Sequence, residues 1–318
     1  MLRTALRSPS AIWKYAAKNG GVRPERWNKA FSLLKIADRH KRSCPIPAIL
    51  RLRLAPLNDV RLHAKNGPAQ GWFLALVRAW DPAWSAALHG GSRRTPYALS
   101  PLHRASATPL AEEDQVNMAL YCGGSVCTGE EISLRVSLAD EERARRFLAE
   151  LPSLPLPLLG GVPCRLVRCP RPNALDPDWL SASWATLADA PPASRLHVSF
   201  ETPTAFSHQG EFLLLPDPAH LVASWRGAWD HAPARPAGAD TLTLDGLRVT
   251  SYDLHTEALP LKGGLRIGFV GEIELTWRPG TPPETRRTLA ALAGLADFLG
   301  TGAKTALGMG QTRVRIWD

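Results

Sequence analysis

Gly300-Thr301-Gly302-Ala303-Lys304-Thr305-Ala306-Leu307-Gly308-Met309-Gly310 lies between an apolar run with helical spacing, residues 289–299, and an alternating tail, Thr312–Trp317. Four glycines in eleven residues predict a loop whose backbone approaches a ligand closely and exposes N–H groups, with Lys304 adding a cation. Such a loop suits a phosphate. It is not a nucleotide-binding P-loop, because Ala303 precedes Lys304-Thr305 where that motif needs glycine, and the order is helix, loop, strand. The competing reading is a glycine-rich turn without a ligand.

Working outward, the helix and the tail are the last two elements of a longer order: strand 195–200, helix 218–229, strands 247–254 and 265–277, helix 283–299 and strand 312–317. The first half shows the same order. Strand 48–55 places Leu50, Leu52 and Leu54 on one face and Arg51 and Arg53 on the other. Helix 70–88 is interrupted at Asp81-Pro82, where Asp81 can cap a second helix with Pro82 at its first position. That helix ends at Leu88-His89, before Gly90-Gly91. Strands 116–121 and 132–137, helix 141–151 and strand 164–167 complete the unit. Two β-α-β-β-α-β units predict an α+β chain of tandem ferredoxin-like, RRM-like domains, residues 46–175 and 190–318. Residues 1–45 read as a basic helical N-terminal extension, with Trp27, Ala30, Phe31, Leu34 and Ala37 at helical spacing and Pro45-Ile46-Pro47 closing it.

Charge separates the extension from the body. The chain carries 38 Lys and Arg against 29 Asp and Glu, a net +9. Eleven of the basic residues and two of the acids, Glu25 and Asp38, fall in residues 1–45, so the body nets zero (27 against 27). A basic arm on a neutral body suits a polyanion, against the alternative of a merely solubilising extension. No apolar run reaches the roughly 18 residues of a membrane helix, the first thirty residues lack a signal-peptide core, and five cysteines are an odd number for a disulfide scaffold. A cytoplasmic protein without membrane contact is the expectation. Cys122 and Cys127, and Cys164 and Cys169, sit at the edge of zinc-ligand spacing, but both pairs fall in or beside strand-like segments, which favours buried thiols. Trp225 and Trp229 lie in an apolar helical stretch and read as core rather than as base-stacking platforms.

The glycine-rich segment before a last strand, the segment Glu201-Thr202-Pro203-Thr204-Ala205-Phe206 after a strand, Leu214-Leu215-Pro216-Asp217-Pro218 before a helix, and the helix ending in Leu88-His89 with Ser100-Pro101-Leu102 beyond it resemble one family. It is that of the CRISPR repeat-processing endoribonucleases of the RAMP superfamily. The resemblance covers residues 48–318 and not the extension. It implies two ferredoxin-like domains, binding of CRISPR repeat RNA as precursor and mature guide, and one cut per repeat. It implies chemistry without metal or cofactor: the ribose 2′-OH attacks the adjacent phosphorus, leaving a 2′,3′-cyclic phosphate and a 5′-OH. CRISPR effector subunits and a homodimer are further partners it brings into view.

The resemblance makes His89 the catalytic candidate, and its place at a helix C-terminus, where the macrodipole favours imidazolium, suits general-acid work. Some family members carry a tyrosine about four turns before this histidine and a lysine shortly after it; here Leu74 and Thr95 stand roughly in those places. Arg93, Arg94 and Tyr97 are candidate substitutes for the lysine, although an arginine acts on the phosphate rather than as a proton donor. His103 is a reserve acid–base group. The candidate RNA contacts are Gly300, Gly302, Lys304, Thr305, Gly308 and Gly310 in the glycine-rich segment, Lys262 between two strands, Arg93, and Arg286 and Arg287 near the start of the last helix. The second function reading is a non-cleaving repeat-RNA-binding RAMP subunit of a CRISPR effector complex.

Overall fold

The computed structural model describes residues 47–63, 67–89, 95–105, 124–232, 235–261 and 264–317. The extension 1–45, Arg93, Arg94, Cys122, Lys262, the expected strand 116–121 and the side chain of His89 lie outside the described residues.

The first unit opens with β1 (Ala48–Pro56), a short β2 (Val60–Leu62), α1 (Pro68–Trp80) and α2 (Pro82–His89). It continues through β3 (Tyr97–Leu99), β4 (His103–Arg104), β5 (Gly124–Val126), β6 (Ile132–Leu138), α3 (Glu141–Glu150), β7 (Cys164–Arg168) and β8 (Trp179–Ser181). The helices start where the sequence says they should. Asp81 accepts from the N–H of Trp84, with Pro82 behind it, and Asp140 accepts from the N–H of Arg143. The apolar faces of α1 and α3, with Trp72, Phe73, Leu76, Ala144 and Phe147, pack on Leu50, Leu52 and Leu54 of β1. Each of the leucine and aromatic side chains contributes about 2 kcal/mol by leaving water.

The main sheet runs β3-β6-β1-β7, with β8 also on β1. The expected strand 116–121, the second of its unit, lies outside the described residues. Among the described residues that place is held by β3 and β4, which pair with β6 at Tyr97↔Leu138 and His103↔Ser133. Pro101, lacking an N–H, separates the two pieces. The sheet also reaches beyond residue 175, because β8 adds to it.

The second unit comprises α4 (Trp184–Ala188), β9 (Arg195–Thr204), β10 (Phe206–His208), β11 (Glu211–Leu213), α5 (Pro218–Ala228), β12 (Leu247–Leu261), β13 (Gly264–Trp277), α6 (Pro283–Gly294), α7 (Ala296–Leu299) and β14 (Thr312–Trp317). Its sheet runs β12-β13-β9-β14. In both units the order is second, third, first, fourth strand, that of the ferredoxin-like fold. Trp225 and Trp229 lie in the second core with Val198, Phe200, Ile273 and Leu292.

The two units meet on the side of the first sheet that faces away from its own helices. Ile49 and Leu180 of the first sheet join the core of the second unit, and Ala306 of the glycine-rich segment joins the core of the first.

Candidate nucleic-acid interface

The glycine-rich segment follows α7 and is clamped by both units. Its glycines all have positive φ: +73° at Gly300, +82° at Gly302, +95° at Gly308 and +73° at Gly310. The neighbours that require them are protein. A Cβ on Gly310 would stand 2.0 Å from the Thr301 carbonyl oxygen, and one on Gly302 would stand 2.5 Å from that of Ala205. At Gly308 the close neighbour is Pro101, contributed by the first unit.

The backbone donors are engaged in the same way. Thr301 N–H donates to Gly310 O, Ala303 N–H to Ala205 O and Gly310 N–H to Pro203 O. Gly302 N–H reaches Ser224 Oγ, Gln311 N–H reaches Thr202 Oγ1, and the indole N–H of Trp225 donates to Thr301 Oγ1. The sequence expectation that these glycines expose N–H groups to a ligand is therefore corrected at those positions. The glycines let the segment lie against residues 203–205.

What the segment presents outward is Lys304, exposed and left-handed at φ +59°. Thr305 and Ala306 begin a short turn (Thr305–Leu307) packed on β3 and α1. Thr305, Gly300, Gly308 and Gly310 are buried. Arg286 and Arg287 sit at the start of α6, on the order of 20 Å along the helices from the glycine-rich segment. The structure does not bring them together with Lys304. Leu261 and Gly264, on either side of the undescribed Lys262, are register partners of β12 and β13.

Of the other predicted groups, the described part of α2 carries His89 at its last residue. Tyr97 and His103 turn inward. Tyr97 is 2% exposed, its hydroxyl accepts from Gln70, and burial raises its pKa. His103 is 3% exposed, shares a hydrogen bond between Nδ1 and Ser133 Oγ, and is pushed down to about 4 by burial and then by Arg51 and Arg135. Both are fixed in the first unit's sheet and neither meets solvent. Among the cysteines, the Cys164 and Cys169 thiols donate to the carbonyls of Pro157 and Leu148, and burial pushes both up, Cys169 to about 11.

Sequence reasoning missed the charged seam beneath the segment. Arg135 of β6 crosses to the second unit, where its guanidinium donates to the backbone oxygen of Asp297 at 2.5 Å and lies 3.8 Å from Glu201. Arg313 of β14 donates to Glu201 at 2.9 Å. The Asp297 carboxylate accepts from the N–H of Val314, and burial raises its pKa to about 6 against the pull of Arg313 and Arg135. An arginine in an otherwise alternating strand, Ile132-Ser133-Leu134-Arg135-Val136, carries no sequence mark that its partner lies 162 residues away.

The chain resembles known proteins in the parts that form this interface. A family model described as CRISPR-associated endoribonuclease Cas6 matches residues 198–312, from β9 to the start of β14. A CRISPR-associated endoribonuclease Cas6 of Mycobacterium tuberculosis is 27% identical over 128 residues; the match spans 39% of this chain and only 40% of that relative's length. Among solved structures, a Cas6 product complex is similar over 86% of this chain and 100% of its own, with a TM-score of 0.65 and 27% identity. Thermus thermophilus Cas6 has a TM-score of 0.61 at 23% identity, over 86% of this chain and 100% of its own, and speaks for the fold alone.

Proposed function

We propose that this chain, a Cas6-type protein of the RAMP superfamily, binds CRISPR repeat RNA and cuts it once per repeat. The observation that carries the reading is the likeness across both domains to the whole chain of a Cas6 product complex, at 27% identity.

In the proposed reaction the 2′-OH attacks the neighbouring phosphorus, the phosphorane collapses, and the products are a 2′,3′-cyclic phosphate and a 5′-OH. The attacking 2′-OH gives up its proton to water, the leaving 5′ oxygen takes one up, and the phosphorane needs cations. His89 supplies the proton: it closes α2, where the helix dipole favours its charged form. Arg93 and Arg94, four and five residues further along the chain, together with the exposed Lys304, supply positive charge to the phosphates. With Tyr97 and His103 enclosed in the first unit, the acid–base work rests on His89. Metal ions have no part in the proposed step.

The burial of those two reserve groups also favours the second reading, a non-cleaving repeat-binding subunit, and one assay separates the two. Single-turnover cleavage of cognate repeat RNA in EDTA is expected for the wild type, with resistance of a substrate carrying 2′-deoxy at the cut site. His89→Ala should slow it by roughly 10²-fold or more, the usual contribution of an acid–base group. Tight binding without any cut by the wild type would establish the subunit instead.

A further inference from the structure

We infer that Arg135 and Asp297 are positioning residues that latch the glycine-rich segment to the first unit across the seam between the two. Arg135 stands on the rigid central β6, its own N–H held by Ser100 Oγ at 2.9 Å, so the side chain leaves a fixed base. It grips the carbonyl of Asp297 in α7, three residues before Gly300. The Asp297 carboxylate holds the N–H of Val314 in β14, two residues after Thr312. One residue thus ties down both ends of the segment that presents Lys304. A small cavity lies against this knot, lined by Arg135, Ser137, Asp297, Gly310, Gln311 and Thr312.

The charged groups facing Asp297 come from three strands: Arg135 from β6, Glu201 from β9 and Arg313 from β14. Behind Arg135 stand Arg51, its register partner on β1, and the neutral His103. Closing the latch desolvates the Asp297 carboxylate more than the arginines compensate, so the closed state holds its proton up to about pH 6. An opened segment returns that carboxylate to water and to its ordinary value of 3.8. The closed state therefore binds more protons, and its advantage, complete below the ordinary value, is lost as pH rises through about 6. Near neutrality the segment is freer, which bears on RNA binding only if the proposed function holds.

The test is hydrogen exchange on the full chain without RNA, comparing the peptide over residues 296–312 with a control peptide over 264–277, corrected for intrinsic exchange. In the wild type, protection of 296–312 should fall as pH rises from 5 to 7.5 while the control stays level. Asp297→Asn should make the 296–312 profile flat. Arg135→Gln should speed exchange of that peptide about tenfold at pH 7.5 and move the transition to higher pH, with Arg135→Lys restoring part of the protection. A pH-independent wild type, or an Arg135→Gln protein matching it, would overturn the inference. Should Arg135→Gln fail to fold, the nearly isosteric Asp297→Asn still decides. Repeat-RNA binding by the same proteins is a separate readout: a wild type that binds no RNA defeats the proposed function and leaves the exchange result standing.

Discussion

The two sheets share a strand order but not the fate of their second face. In the first unit, the face turned away from the helices carries Arg51, Ser133, Arg135 and Ser137, all buried. In the second unit the corresponding face carries Arg195, His197, Glu272, Glu274 and Arg315, and it meets solvent in part or in full. The same alternation of apolar and polar residues thus builds an enclosed charged layer in one unit and an ordinary wet surface in the other. Enclosure changes what each polar contact is worth, because a buried charge deprived of its partner cannot turn to water.

Asp178 gives the sharpest way to break the comparison. Its carboxylate, fully buried, receives Arg51 at 3.2 Å, Arg53 at 3.2 Å and Arg168 at 2.8 Å. Asp178→Asn should cost about 3–5 kcal/mol, the range for breaking a buried ion pair, measured by urea denaturation. A loss below about 1 kcal/mol would mean the layer is wetter than its burial implies. Next in size is Gly310→Ala, which forces a left-handed side chain into the Thr301 carbonyl and should cost at least about 2 kcal/mol. Gly161, at φ +91° with open space around the Cβ position, is its control; Gly161→Ala should cost about 1 kcal/mol.

Enclosure also sets two titrations against each other around Arg135. The depressed pKa of His103 supports stability above about pH 6.5, and that support is lost as pH falls toward 4. The raised pKa of Asp297 acts oppositely, adding stability as pH falls through about 6. Between pH 7.5 and 5 the first effect removes about 2 kcal/mol and the second returns about 1 kcal/mol. Urea melts should therefore show a shallow loss in the wild type and a steeper one in Asp297→Asn. His103→Asn should reverse the sign and be more stable at pH 5. Parallel pH dependence in all three proteins would show that neither group titrates as its surroundings dictate.

How much of this could be read from the chain follows from where each signal is stored. Leu50, Leu52 and Leu54 announce β1 because alternation is local, and Asp81-Pro82 announces the start of α2 because a cap acts on its own first turn. The glycine-rich segment was visible as a tight backbone, but its neighbours were not. The residues that require Gly302 and Gly308, Ala205 and Pro101, lie 97 and 207 positions away. Likewise Tyr97-Ala98-Leu99 is a strand of three residues, too short to show a period, and only its pairing with β6 reveals it. Arg51 and Arg53 show in the sequence only as the face opposite the leucines, because their acid, Asp178, enters from 127 and 125 residues along the chain.

The exposed face of the second sheet supplies the smallest effect and completes the contrast. Glu272 lies 3.1 Å from His197 Nε2, a spacing close to the Arg51–Asp178 contact, yet its side chain is 55% exposed. Water can replace the histidine, and salt screens what attraction remains. Glu272→Gln should accordingly change stability by less than about 0.5 kcal/mol at neutral pH. If it costs as much as Asp178→Asn, distance rather than enclosure governs these pairs. In that event the outer face of the second sheet is itself covered in solution, by a surface that the isolated chain does not contain.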